Sequence, residues 1–276
     1  MNTPMPRLGM GTWHLAEGRH PETQEIAALR AGLDAGITLI DTAEMYADGR
    51  AESLVGRAIA GYDRSRLFIV SKVYPHNAGR RHLRRSLEAS LKRLGTDYLD
   101  MYLLHWRGSV PLAETVECME QAKDDGLIRN WGVSNFDTND MRELFATPGG
   151  EACAVNQDLY HLGSRGVEYD LLPWMDAHGL PLMAYCPLAQ AGTLRRGLLE
   201  SPAVRTVASD HGVEPIQVLL AFVLHRPDTI AIPCSGNAEH VRANLQARDL
   251  KLSADELALL DQAFPAPTSK QPLDME

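Results

Sequence analysis

Three apolar runs in the first part of the chain end on residues able to move or hold a proton. Ile37–Tyr46 reads ITLIDTAEMY, a β-branched run that ends on Asp41 and is followed by a short loop and Tyr46. Leu67–Lys72 (LFIVSK) ends on Lys72, and Tyr98–His105 (YLDMYLLH) ends on His105. Runs of this kind have the pattern of parallel strands buried on both faces. Active sites of parallel α/β folds are built at the C-terminal ends of their strands. Asp41, Tyr46, Lys72 and His105 are therefore expected to form one site. A carboxylate, a phenol, an ammonium and an imidazole are the groups of acid–base chemistry.

The elements that must position them alternate along the chain. Strands are expected at Leu8–Thr12, Ile37–Asp41, Leu67–Lys72, Tyr98–His105, Ile128–Val133, Ala154–Asn156, Leu182–Tyr185 and Thr229–Ile232. Helical spacing and Gly stops place helices at Thr23–Ala35, Ala51–Ala60, Gly79–Leu94, Leu112–Asp125, Thr138–Phe145 and Tyr169–His178. Further helices are expected at Pro202–His211, Pro215–Leu224, Ala238–Ala247 and Ala254–Phe264. Eight βα units in 276 residues indicate an α/β fold, a closed (β/α)8 TIM barrel, as a single domain over residues 1–276. No GxGxxG follows the first strand, so a Rossmann dinucleotide site is not supported.

Composition agrees with a soluble globular chain, 45% hydrophobic and 23% charged. A net charge of −9 argues against nucleic acid as a partner, yet leaves room for an anionic cofactor held by a few cations and helix N-termini. The four cysteines show no metal-like spacing and suit a reducing compartment. With no signal peptide and no membrane-length apolar run, the expected location is cytoplasmic. No metal site is expected, since the histidines form neither HxH nor HExxH. Monomer is the default assembly.

The segments DTAEMY, SKV, LLHW, GVSNF, AYCPLAQ and IPCSGNAEHVRAN, with Asn156, Gln157 and Tyr160 between them, occur in an order that resembles the aldo-keto reductases. The resemblance runs from about Leu8 to the C-terminus and is strongest to bacterial members that reduce methylglyoxal and similar small aldehydes. It implies hydride transfer from NADPH, with NADH use possible, to a small carbonyl substrate. Tyr46 would protonate the carbonyl oxygen and His105 would orient it. Bringing a phenol to neutral pH costs roughly 4 kcal/mol. A cation about 4 Å away, at an effective dielectric near 20, supplies roughly 4 kcal/mol, so Lys72 is of the right size to lower the Tyr46 pKa. A buried lysine tends to lose its proton, and Asp41 would keep it charged. Taken singly, Asp41 could cap a helix, Lys72 could be a solvated charge, and Tyr46 and His105 could be packing residues.

The same resemblance implies a cofactor site. Ser134, Asn135 and Gln157 would hold the nicotinamide carboxamide, and Tyr185 would stack on its ring. Pro187, Leu188, Gln190 and Gly192 would line a pyrophosphate strap. Gly11, Thr12 and Trp13 would touch the ribose side, with Asp41 and Ile232 beside them. Ser235, Asn237, His240 and Asn244 would face the adenosine phosphate, at the loop where barrels often bind phosphate. Trp13, Trp106 and Tyr74 would wall the substrate pocket around Tyr46 and His105.

The chain departs from the family pattern at Cys234 and His240, where NADPH-selective members often carry lysine and arginine. Both changes remove positive charge, so Cys234→Lys is expected to lower the KM for NADPH. An N-terminal hairpin that plugs the barrel in many relatives is expected to be absent or shortened. The short tail PAPTSKQPLDME suggests an open pocket. Two other readings share these residues: a keto-sugar or 2,5-diketogluconate-type reductase, and a non-catalytic cofactor-binding module like potassium-channel β-subunits.

Overall fold

The computed structural model describes residues 5–276. Eight parallel strands hydrogen-bond in chain order. They are β1 (Gly9–Gly11), β2 (Leu39–Asp41), β3 (Phe68–Val73) and β4 (Leu99–Leu104), then β5 (Ile128–Ser134), β6 (Asn156–Leu159), β7 (Leu182–Tyr185) and β8 (Thr229–Ala231). The barrel closes between β8 and β1. Leu8 pairs with Ala231 and Gly11 with Cys234, and Gly11 N donates to Pro233 O at 3.0 Å. A side chain on Gly11 would bring its Cβ to 2.7 Å from Ile232 O, so this seam requires glycine.

Helices α1 (Glu22–Asp34), α2 (Arg50–Ile59), α3 (Leu83–Leu94), α4 (Leu112–Asp124), α5 (Thr138–Ala146) and α6 (Leu171–Ala177) follow the first six strands in turn. Three helices, α7 (Thr193–Glu200), α8 (Pro202–His211) and α9 (Pro215–His225), separate β7 from β8. Two more, α10 (Ala238–Ala247) and α11 (Ala254–Ala263), close the chain. No single helix among the described residues is long and apolar enough to cross a membrane.

Strand parity explains why polar groups meet above an apolar core. Successive side chains on a strand alternate between faces. Leu39, Phe68, Val70, Met101, Leu103, Val155 and Met183 form the cluster inside the barrel. Two residues beyond Leu39, Val70, Leu103 and Val155, with the same parity, stand Asp41, Lys72, His105 and Gln157. Ile40, Ile69 and Tyr102 take the opposite parity and belong to the core between barrel and helices.

The eight strands stand where the sequence placed them, with shifted bounds. β6 begins two residues later than expected and carries Gln157 within it. α3 starts at Leu83 rather than Gly79, after a turn in which His82 N and Leu83 N both donate to Gly79 O. α7 was not anticipated: it is a short helix with only Leu198 buried, it follows Gly192, and Gly197 interrupts it. The plugging hairpin concerns the segment before β1, where residues 1–4 lie outside the described residues. Met5 packs against the interior cluster.

Candidate active site

The four residues at the strand ends are brought together. Lys72 is completely buried, Asp41 nearly so, and Tyr46 and His105 are buried as well. Lys72 Nζ donates to Asp41 Oδ1 at 2.7 Å, to Thr42 O at 2.9 Å and to Tyr46 Oη at 3.1 Å. An ammonium has three donors and no acceptor, and here each donor has its own acceptor. Tyr46 Oη accepts from Lys72, which leaves the phenolic proton for an acceptor in the cavity above. The other Asp41 oxygen accepts from Gln157 Nε2 at 2.8 Å. The Tyr46 and His105 rings meet edge to face with centroids 5.6 Å apart, and His105 Nδ1 is buried without a partner.

Burial dominates the electrostatics. It lowers the Lys72 pKa, while Asp41 opposes the fall. Burial and then the Lys72 charge hold His105 well below the ordinary histidine value, so its ring is a neutral hydrogen-bonding group. The expected lowering of Tyr46 is not found. Burial pushes its pKa well up, and the Asp41 carboxylate adds to the rise. The estimate from a lone cation fails because Lys72 is matched by a carboxylate at 2.7 Å, and the phenol feels an ion pair instead. Tyr46 thus keeps its proton and remains a loaded donor.

An elongated cleft runs outward from these groups. A small cavity of about 30 Å3 joins Tyr46 and His105 to Trp13, Ser134, Asn135, Gln157 and Tyr185. It shares Trp13, Tyr46 and Tyr185 with a cavity of about 480 Å3 that also reaches Gly11, Asp41, Pro187, Leu188, Gln190, Ile232 and Ser235. Beyond it a third cavity of about 730 Å3 is lined by Gly192, Ser235, His240 and Asn244. Ser134, Asn135 and Tyr185 form one network. Tyr185 Oη donates to Asn135 Oδ1 at 2.9 Å, Asn135 Nδ2 donates to His105 O at 3.0 Å, and Ser134 Oγ donates to Gln157 O at 2.7 Å. Asn135 has φ of 58°, a left-handed conformation that asparagine tolerates better than most residues.

Four of the expected contacts sit elsewhere. Thr12 is fully buried and donates to Asp41 O at 3.0 Å, which supports the end of β2 and lines none of the three cavities. Asn237 is the N-cap of α10, its Oδ1 accepting from Glu239 N at 2.7 Å. Tyr74 and Trp106 pack edge to face at 5.9 Å, but neither lines these cavities.

Residues 7–264 match the model of the Aldo/keto reductase family. The chain belongs to this family. It is 54% identical to methylglyoxal reductase YeaE of Escherichia coli (strain K12), over 98% of this chain and 95% of that protein. It is 33% identical to methylglyoxal reductase DkgB of Salmonella typhi, over 93% of each. A crystal structure of an aldo/keto reductase from Klebsiella pneumoniae in complex with NADP and acetate has a TM-score of 0.95 at 56% identity, covering 98% of this chain and 95% of that one. A second Klebsiella pneumoniae aldo-keto reductase structure, in complex with NADPH, has a TM-score of 0.94 at the same identity and coverage.

Sequence reasoning about this reductase missed several cleft residues. Arg195, at the start of α7, lines both larger cavities and fastens the strap: its Nε donates to Leu188 O at 2.9 Å and to Ala189 O at 3.1 Å. The double arginine after AQAGTL was a visible signal for it. Glu276 lines the small and middle cavities, so the tail does help to shape the pocket, contrary to the open pocket expected. Lys270 pairs with Asp137 at 3.3 Å and Asp170 at 3.2 Å, Asp274 accepts from Ser164, and Leu273 packs on the core. These contacts bring the tail across the barrel mouth, a tertiary result with no local pattern.

Proposed function

We propose that residues 1–276 act as one enzyme that uses NADPH to reduce methylglyoxal and similar small aldehydes or ketones to alcohols. One observation carries the chemistry. The Tyr46 hydroxyl accepts from Lys72 and faces a cavity shared with a neutral His105, so its own proton is the one available to a carbonyl oxygen. The names of the Escherichia coli and Salmonella relatives and the nucleotides in the Klebsiella structures support the substrate and cofactor. Four free cysteines support a reducing compartment such as the cytoplasm.

The cleft fits such a cofactor in length and chemistry. It runs from the catalytic cavity past Gly11 and the strap to α10. Ser134, Asn135, Gln157 and Tyr185 would hold the nicotinamide end, and Leu188, Gln190 and Gly192 the strap. When bound, the reduced nicotinamide supplies the hydride. His105 donates a hydrogen bond that fixes the carbonyl oxygen, and Tyr46 transfers its proton to that oxygen as negative charge builds there. Lys72 then stabilises the phenolate left behind, while Asp41 and Gln157 hold the ammonium in place.

The test is oxidation of NADPH and of NADH with methylglyoxal and with a small aromatic aldehyde. Turnover with NADPH is expected. Cofactor binding with no turnover on any carbonyl would overturn the enzyme reading and favour the binding module.

A further inference from the structure

The chain lacks the lysine and arginine that the resemblance led one to expect on the β8 side, having Cys234 and His240 there. The outer cavity is nevertheless basic. One wall carries Ser235, His240 and Asn244, and the facing wall, from α7 and α8, carries Arg195, Arg196 and Arg205. Arg195 is committed to the strap carbonyls of Leu188 and Ala189. Arg196 is exposed and has no ion pair or side-chain hydrogen bond among the described residues. Arg205 gives only its Nε, to Leu199 O at 3.3 Å, so its terminal nitrogens are free. Two carboxylates share this rim, Glu200 and Glu214, the second standing in the capping box of α9. Three arginines thus stand against two carboxylates, and two of the three guanidinium groups are uncommitted.

We propose that the 2′-phosphate of the cofactor is bound by Arg196 and Arg205, so that the charge absent at Cys234 and His240 is supplied from the opposite wall. The proposal rests on the NADPH reading above and assigns its selectivity to α7 and α8. A guanidinium presents forked donors suited to phosphate oxygens and is weakly hydrated. A ribose with a free 2′-hydroxyl has no use for two such cations. Ser235 Oγ, 3.5 Å from His240 Nδ1, adds a hydroxyl on the near wall.

The experiment is calorimetric titration of the full chain with adenosine 2′,5′-bisphosphate and with adenosine 5′-monophosphate. Wild type is expected to bind the bisphosphate at least about 10-fold more tightly. Arg196→Gln is expected to weaken the bisphosphate by about 10-fold or more, the size of a lost charge-assisted bond. It should shift the monophosphate less than about 2-fold, because a neutral ribose does not engage the cation. Arg205→Gln should act in the same direction, and Arg196→Lys should recover much of the loss. Thermal melts check that these exposed substitutions leave the fold intact. A wild-type protein without preference for the bisphosphate would overturn the NADPH reading and the proposal together. A wild-type preference that survives both glutamine variants would overturn the proposal alone and return the phosphate to Ser235 and His240.

Discussion

Removing Lys72 and Asp41 separately and together tests the centre of the site. Their contact is 2.7 Å, with side chains 0% and 3% exposed. At an effective dielectric near 20 the attraction is about 6 kcal/mol. Desolvating the two ions costs several kcal/mol each, so the intact pair adds little net stability, whereas breaking it costs about 3–5 kcal/mol. Lys72→Met leaves the Asp41 carboxylate with Gln157 Nε2 as its remaining side-chain donor. Asp41→Asn removes the counter-charge of the ammonium, and its single amide oxygen can accept from Lys72 or from Gln157 but not from both. Each single variant is therefore expected to melt about 6–20 °C below wild type, at about 2–4 °C per kcal/mol for a chain of this size.

The double variant Asp41→Asn/Lys72→Met buries no uncompensated charge. Its loss of stability is expected to be well below the sum of the singles, with a coupling of several kcal/mol in urea unfolding. Its turnover is expected to stay low, because the cation that would stabilise the Tyr46 phenolate is gone. Stability losses that add, or turnover that returns in the double variant, would refute the reasoning.

Tyr46→Phe is expected to lower kcat by about 10²–10⁴-fold, the usual worth of a positioned acid, while cofactor Kd stays within a few-fold; a variant with most of the wild-type kcat would show that another group gives the proton. Because the Tyr46 pKa is raised and the protonated form is the active one, reduction should be lost only as pH rises above the ordinary phenol range. With His105 held neutral by a lowered pKa, no decline is expected near neutrality; a kcat/KM profile falling with a midpoint near pH 7 would count against both assignments. Gly11→Ala drives a Cβ against Ile232 O and should destabilise the β1–β8 seam and weaken cofactor binding, read from thermal melts and nucleotide titration.

What the sequence made legible was set by short-range regularities. An apolar run that ends on a polar residue marks the C-terminal end of a buried strand, so Asp41, Lys72 and His105 could be placed together before any contact was known, whereas Gln157 came from the family resemblance. Asn237 and Thr12 show the opposite case. Both stand beside the cofactor residues in the chain, but each side chain is used locally, one as a helix cap and one as a prop for β2. The sign of the Tyr46 shift was also out of reach, because it depends on how far Asp41 cancels Lys72, a matter of Å-scale distances.

The tail shows the same limit and bears on substrate size. Read as a sequence, its shortness left the mouth of the barrel open. In the structure Lys270, Leu273 and Asp274 tie it down between α5, α6 and the core, and Glu276 ends beside Cys186 at the catalytic cavity. The cavity at Tyr46 and His105 is small, about 30 Å3, with Trp13 and Met45 as its apolar walls and a carboxylate at its rim. Below that rim the charges cancel: Lys72 against Asp41, a protonated Tyr46 and an uncharged His105. The small volume limits bulk beside the reacting carbonyl, and the Glu276 carboxylate repels an anionic substituent at the entrance. Both effects favour small uncharged carbonyls, the class to which methylglyoxal belongs.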